Sequence, residues 1–216
     1  MATIGELAAC ITLAGGTGVR LGGVSKPDYQ VGGVRLLDVA YHAMQRVGFV
    51  GQLVVVAPET VAIPSRAWRA LEDPPQGGPL AGVQAGVQEL AEFPGSALVA
   101  LSTCDAPLSP MLWKEQTAVC TKTVQGAVPF SEVAVQLESS TERRTHLHYL
   151  LGVYWLADLR GLPYGRNRSV RSAFSALELA EVPDPESFCA DVDTPADARA
   201  LEARLTPFRS SAPCRQ

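Results

Sequence analysis

The chain has 216 residues, 47% of them hydrophobic and 19% charged, with a formal net charge of -4 and an isoelectric point near 5.4. Length and apolar content support one sizeable core, read as a single domain over residues 1–206 with a flexible tail at 207–216. The acidic balance argues against a nucleic-acid binder, so any anion site must draw on local positive charge.

The first element is the apolar run Cys10 to Ala14, which reads as a strand. It empties into a loop with five glycines (Gly15, Gly16, Gly18, Gly22, Gly23), Arg20 and Lys26. Glycines let backbone amides approach a polyphosphate closely, and the two cations neutralise it. Glycines alone would also make a plain tight turn. The lysine is informative because only Lys26, Lys114 and Lys122 stand against fifteen arginines. The loop lacks the Gly-Lys-Ser/Thr ending of a Walker loop. A dinucleotide fingerprint starting at Gly16 fails at Leu21, where glycine or alanine is required, which disfavours hydride chemistry.

Apolar residues at helical spacing over Leu36–Val47, halted by Gly48, predict a helix. The wholly apolar runs Leu53–Ala57 and Ala97–Leu101 predict parallel strands buried on both faces. Between them a helix follows Pro79, with Leu80, Val83, Val87 and Leu90 on one face. Gly126–Phe130, Val133–Leu137 and Leu147–Leu156 form a strand-rich region with an antiparallel element, a place where such folds often hold an acceptor. Asp184-Pro185 and the glycines near Tyr164 read as loops, and Thr194-Pro195 opens a last helix through Leu205. Alternating strands and helices predict a three-layer α/β/α, Rossmann-like fold. Its sheet would be mostly parallel and doubly wound, with ligands beyond the carboxyl ends of the strands.

Candidate chemistry gathers at those ends. Asp73 precedes a second glycine loop, Gly77-Gly78-Pro79-Leu80-Ala81-Gly82, that could approach a base or ribose or simply start a helix. Asp105, beyond the strand ending near Leu101, is either a turn residue or a Mg2+ carboxylate facing the phosphate loop. Asp191 and Asp193 share one face if extended; either could complete a metal site, while Asp193 or Thr194 could cap the last helix. His146 and His148 alternate as on a strand face, but a metal pair there lacks a third ligand. Cys10, Cys104, Cys120, Cys189 and Cys214 are odd in number and widely spaced, which predicts reduced thiols and a cytoplasmic protein. No apolar run approaches membrane-spanning length and the start of the chain lacks a basic region, so neither export nor membrane insertion is expected.

Together the parts fit nucleotidyl transfer. An acceptor phosphate would attack the α-phosphorus of a nucleoside triphosphate and release pyrophosphate, with Lys26 and Arg20 on the triphosphate and Asp105 on Mg2+. The motifs Leu13-Ala14-Gly15-Gly16, Arg20-Leu21-Gly22-Gly23, Lys26-Pro27, Gly78-Pro79-Leu80-Ala81-Gly82, Asp105-Ala106-Pro107 and Asp191-Val192-Asp193-Thr194-Pro195 resemble, in order, those of the molybdenum cofactor guanylyltransferases, the MobA-like nucleotidyltransferases. The resemblance implies GTP and molybdopterin as substrates, GMP transfer, Mg2+, and molybdoenzymes or their chaperones as partners. It places Leu13, Ala14, Gly15, Gly16 and Gly78 on the nucleotide, Lys26 on its phosphates, Asp73 on guanine and Asp105 on the metal, with Asp191 and Asp193 as further ligands. The Asp-x-Asp-Thr-Pro form also resembles the cytidylyltransferase branch, which keeps CTP or another small phosphorylated acceptor as the alternative. A non-catalytic nucleotide-binding or cofactor-delivery module is the alternative of another class.

Overall fold

A computed structural model describes residues 4–18, 21–72, 77–121, 123–136, 141–165 and 167–209. Strand β1 (Leu7–Leu13) leads to α1 (Leu36–Arg46), β2 (Gln52–Val56), β3 (Trp68–Ala70), α2 (Pro79–Glu89) and β4 (Leu98–Thr103). Helix α3 (Trp113–Val119) precedes β5 (Gly126–Gln136), β6 (Thr141–Leu147) and β7 (Val153–Trp155). The chain then forms α4 (Leu156–Arg160), α5 (Val170–Phe174), β8 (Leu179–Pro183) and α6 (Pro195–Arg209).

One sheet runs in the order β6-β5-β7-β4-β1-β2-β3, with β8 added parallel to β5. Strands β4, β1, β2 and β3 are mutually parallel, while β7 lies antiparallel between β4 and β5, and β6 pairs antiparallel to β5. The expected mostly parallel sheet with an antiparallel element is therefore present. Its two faces are both covered, because alternate side chains of each strand enter different cores. Ile11, Val54 and Val99 pack with α2, α4 and α5; Cys10, Val55 and Ala100 pack with α1 and α3. Burial on both faces explains why β1, β2 and β4 read as continuous apolar runs rather than alternating ones.

Helix α1 ends where expected, with Gly48 at φ +82° just beyond it. Helix α2 lies against β1 through small residues: a Cβ on Gly86 would overlap Ile11 Cγ2, and one on Gly82 would sit 3.1 Å from Leu13 Cδ2. This contact sets the first turn of α2 beside the carboxyl end of β1.

Elsewhere the sequence reading needs correction. The strand expected over Leu147–Leu156 is instead the end of β6, a 3-10 turn at Tyr149–Leu151, the short β7 and the start of α4. Gly126–Phe130 and residues 133–136 belong to one long strand, and Leu137 lies outside the described residues. Strands β3 and β8 and helices α3, α4 and α5 carry too few residues for periodicity to announce them. Helix α6 continues past Leu205 to Arg209, so residues 207–209 of the expected tail are helical; 210–216 lie outside the described residues. Among the described residues no helix is long and apolar enough to cross a membrane.

Candidate active site

The carboxyl ends of β1, β2 and β4 are stitched together by backbone bonds. Ala14 N–H donates to Val56 O at 2.9 Å, and Cys104 N–H donates to Leu13 O at 3.0 Å. From this edge the glycine loop departs with Gly15 and Gly16 exposed, and nothing lies within 4 Å of where a Gly15 Cβ would be. Gly22 and Gly23 have φ of +85° and +78°, a region that favours glycine, which explains their presence in the loop. A two-residue ribbon, Thr17–Gly18 against Val24–Ser25, folds the loop back. It returns Lys26 to the strand end, where Lys26 N–H donates to Gly16 O at 3.1 Å and a Cβ on Gly16 would sit 3.4 Å from the lysine stem.

Lys26 heads a 3-10 turn, Lys26–Asp28, held from below by Arg35. The Arg35 guanidinium donates to Asp28 at 2.9 Å and to Asp38 at 2.8 Å, tying the turn to the start of α1. Sequence reasoning passed over Arg35, although an arginine three residues before an aspartate at a helix start is a readable signal.

Asp105 follows β4, and Val192 N–H donates to Asp105 O at 2.8 Å, drawing the segment Asp191–Asp193 alongside. Lys26 Nζ then donates to Asp105 Oδ2 at 2.7 Å and to Asp193 Oδ1 at 2.5 Å. Three regions distant in sequence thus meet at one ammonium. Burial opposes the charge on Lys26, but its hydrogen bonds with Asp105 and Asp193 more than offset this and hold its pKa above the ordinary lysine value. Among the described residues, no cation is hydrogen-bonded to Asp191. Restricted access to water, then the charges of Asp105 and Asp193, push its carboxyl up to about 6, against a lowering by Lys26. Its side chain still opens onto the cavity described below, so solvent screens part of this effect.

The helix cap is Thr194 and not Asp193. Thr194 Oγ1 accepts from Asp197 N–H at 3.3 Å, while Asp197 Oδ2 accepts from the N–H groups of Asp193 and Thr194 and from the Thr194 hydroxyl. This reciprocal box satisfies the Asp197 N–H in the first turn of α6 and leaves the Asp193 carboxylate for Lys26.

Beyond Asp105 and Asp191 a cavity of about 540 Å3 opens toward the β5–β6 ribbon and α5, lined also by Thr103, His146, His148, Tyr149 and Arg171. The two imidazoles do meet, edge to face at 4.8 Å, but they sit on a cavity wall and, among the described residues, no third ligand joins them. Tyr149 and Arg171 were not legible as site residues, because only the packing of α5 on the 3-10 turn at Tyr149–Leu151 brings them to the cavity that Asp105 lines, whereas Thr103 is a local neighbour of Asp105 at the end of β4.

Gly78 sits before α2 with φ +90°, close to Asn167 (3.7 Å from its Cβ position), and Asn167 N–H donates to Gly77 O at 2.8 Å. Arg20 and Asp73 lie outside the described residues. Cys10, Cys104, Cys120 and Cys189 are buried and unpaired, with burial pushing the Cys120 thiol up to about 11 and the Cys10 thiol to about 12. These are packing residues, not nucleophiles.

Among the described residues, no three His, Cys, Asp or Glu side chains converge as a ready-made metal cage. The donor set nevertheless suits Mg2+, which takes one or two carboxylates and fills its remaining positions with water and substrate phosphate. Asp105 and Asp193 each aim an oxygen at the point where the Lys26 ammonium lies.

The family model of the MobA-like NTP transferase domain matches residues 10–136, more than half of the chain, and the chain belongs to that family. A comparison with curated protein sequences returns no match. Among solved structures, molybdopterin-guanine dinucleotide biosynthesis protein A from Archaeoglobus fulgidus is similar over 92% of this chain and 99% of its own, at 18% identity and a TM-score of 0.57. The 2-C-methyl-D-erythritol 4-phosphate cytidylyltransferase of Thermus thermophilus is similar over 91% and 98%, at 19% identity and a TM-score of 0.65. The 4-diphosphocytidyl-2C-methyl-D-erythritol synthase of Anaerococcus prevotii is similar over 91% and 95%, at 12% identity and a TM-score of 0.62. At these identities the likeness is one of fold.

Proposed function

We propose that the protein transfers GMP from GTP to the terminal phosphate of molybdopterin, releasing pyrophosphate. The observation that carries nucleotidyl transfer is the convergence of Lys26, Asp105 and Asp193 between an open glycine loop and a separate cavity. Two adjoining compartments with charge at their junction suit a reaction that joins two phosphorylated molecules. The exposed amides at Gly15 and Gly16 hold the triphosphate, and Lys26 turns from its carboxylates to the phosphates as these arrive. Gly78 and the start of α2 lie toward the base, with Asp73 reading guanine and Arg20 supporting the phosphates. Asp105, with Asp193 or Asp191, would hold Mg2+, which supplies charge neutralisation at the transferring phosphate. The cavity orients the acceptor beside Asp105. No covalent intermediate on the protein is needed.

GTP as donor rests on the Gly78-Pro79-Leu80-Ala81-Gly82 motif and on the family. A second reading, cytidylyl transfer to molybdopterin or to another small phosphorylated acceptor, is favoured by the Asp191-Val192-Asp193 carboxylates and by the likeness to cytidylyltransferase folds. The deciding experiment supplies GTP, CTP, ATP and UTP in turn with Mg2+ and molybdenum cofactor, follows pyrophosphate release and weighs the product. A guanine dinucleotide product supports the reading; a cytosine dinucleotide replaces it with the second; binding of nucleotide without pyrophosphate release makes the protein a delivery module.

A further inference from the structure

The cavity has a charge problem that the nucleotide site does not solve. Its described lining includes three carboxylates, Asp105, Asp191 and Glu181, and one permanent cation, Arg171. Asp105 is already paired with Lys26, which leaves Asp191 and Glu181 against Arg171, so an acceptor bearing a phosphate dianion still enters a space whose fixed charge is net negative. The remaining lining groups able to supply positive charge are His146 and His148.

Those two residues are built into the wall rather than scattered on it. His146 lies opposite Ser131 in the antiparallel β5–β6 pairing, and His148, two residues on, returns to the same face. Ser131 Oγ and His148 Nε2 are 2.9 Å apart, and the His146 ring stands edge-on to His148 at 4.8 Å. With Nε2 engaged, Nδ1 is the His148 nitrogen left for a ligand. The charged groups that act on His148 are His146 on β6 and Asp184 after β8, and Glu181 on β8, Tyr149, Arg171 on α5 and Asp191 line the same cavity. In the free protein, burial and then His146 lower the His148 pKa, while Asp184 acts the other way, so the ring is neutral near pH 7.

Resting on the nucleotidyltransferase reading, we infer that His148, oriented by Ser131 and backed by His146, is the anion-recognising residue of the acceptor compartment and takes up a proton when a phosphate monoester binds. A phosphate group near Nδ1 favours the imidazolium, raising the His148 pKa in the complex. Acceptor affinity then falls as pH rises through that raised value. It also falls below about pH 6, where the phosphate itself gains a proton.

The test uses phenyl phosphate as probe, with the whole chain. The His148 ring resonance is followed by NMR against pH with and without the probe, in the wild type and Ser131→Ala, and probe affinity is measured in these and in His148→Gln. Support is a rise in the His148 midpoint on adding probe, a smaller rise in Ser131→Ala, and a loss of probe affinity of about tenfold in His148→Gln, the scale of one charge-assisted hydrogen bond. Calorimetry in buffers of different ionisation heat should show proton uptake in the wild type that is lost in His148→Gln. An unmoved His148 midpoint, or equal probe affinity in His148→Gln, overturns the inference. GTP binding is measured on the same samples: if it is intact in all three proteins, such a failure concerns the acceptor compartment alone. If the wild type binds no nucleoside triphosphate, the nucleotidyltransferase reading falls and this inference with it.

Discussion

The backbone N–H of Val192 donates to the carbonyl of Asp105 at 2.8 Å, joining residues that are 87 positions apart in the sequence (192 minus 105). Through this bond the segment before α6 completes a site begun by β1 and β4, and Lys26 closes it by bridging Asp105 and Asp193. Because the bond uses backbone atoms, side chains at 105, 191 and 193 can be exchanged without undoing the docking.

Asp105→Asn should therefore keep the fold and lose at least about 100-fold in turnover, the scale of a principal electrostatic group. Pyrophosphate release at saturating Mg2+, alongside the thermal midpoint, checks this. Turnover near the wild-type level would make Asp105 a turn residue.

Lys26→Ala should weaken triphosphate binding and slow transfer, with Lys26→Arg only partly restoring either. A planar guanidinium cannot occupy the compact position between Asp105 and Asp193 in the way an ammonium does. Calorimetric titration with GTP measures the change, and equal affinity in wild type and Lys26→Ala would remove the phosphate role.

Asp191 gives a pH-dependent expectation. Its carboxyl sits at about 6 when folded, above its ordinary 3.8, so its stabilising share is complete below about pH 4 and is lost as pH rises through 6. Asp191→Asn should leave stability unchanged near pH 4 and raise it at pH 8 by about 1 kcal/mol, a value discounted for solvent screening at the cavity mouth. Denaturant unfolding at the two pH values is the measurement; a variant less stable than wild type at pH 8 contradicts the assignment.

Gly86→Ala should destabilise by about 1–3 kcal/mol, because the added methyl meets the buried, β-branched Ile11, which has no room to turn aside. Since α2 would shift from β1, nucleotide affinity should fall too. Chemical denaturation reads the first effect and GTP titration the second.

For the donor base, GTP should be preferred over CTP by at least about tenfold, or 1.4 kcal/mol. Asp73 would accept from the paired donor edge of guanine, which cytosine lacks, and an acceptor left without its partner discriminates against the wrong base. Competition between the two nucleotides, in wild type and Asp73→Ala, decides the point; an unchanged ratio in the variant would separate Asp73 from base choice.

Much of this protein was written in local patterns. The apolar runs of β1, β2 and β4 and the helical spacing of α1 and α2 are consequences of burial that each segment carries by itself, so the parallel half of the sheet was readable. The glycine loop, Lys26 and Asp105 were readable for a related reason: chemistry placed just beyond a buried strand can be located once the strand is known. What the sequence could not specify is contact between segments. The Thr194–Asp197 box is local and readable, but that the Asp193 carboxylate it leaves meets Lys26, 167 positions away, is a contact between segments. That Arg35 braces the Lys26 turn, and that Arg171 shares a cavity with His148 and Asp191, depends on long-range packing that no periodicity encodes. The short elements β3, β8, α3, α4 and α5 form because neighbours bury them, not because their own residues demand it, and with them the tertiary structure fixed the compartment on the far side of Asp105.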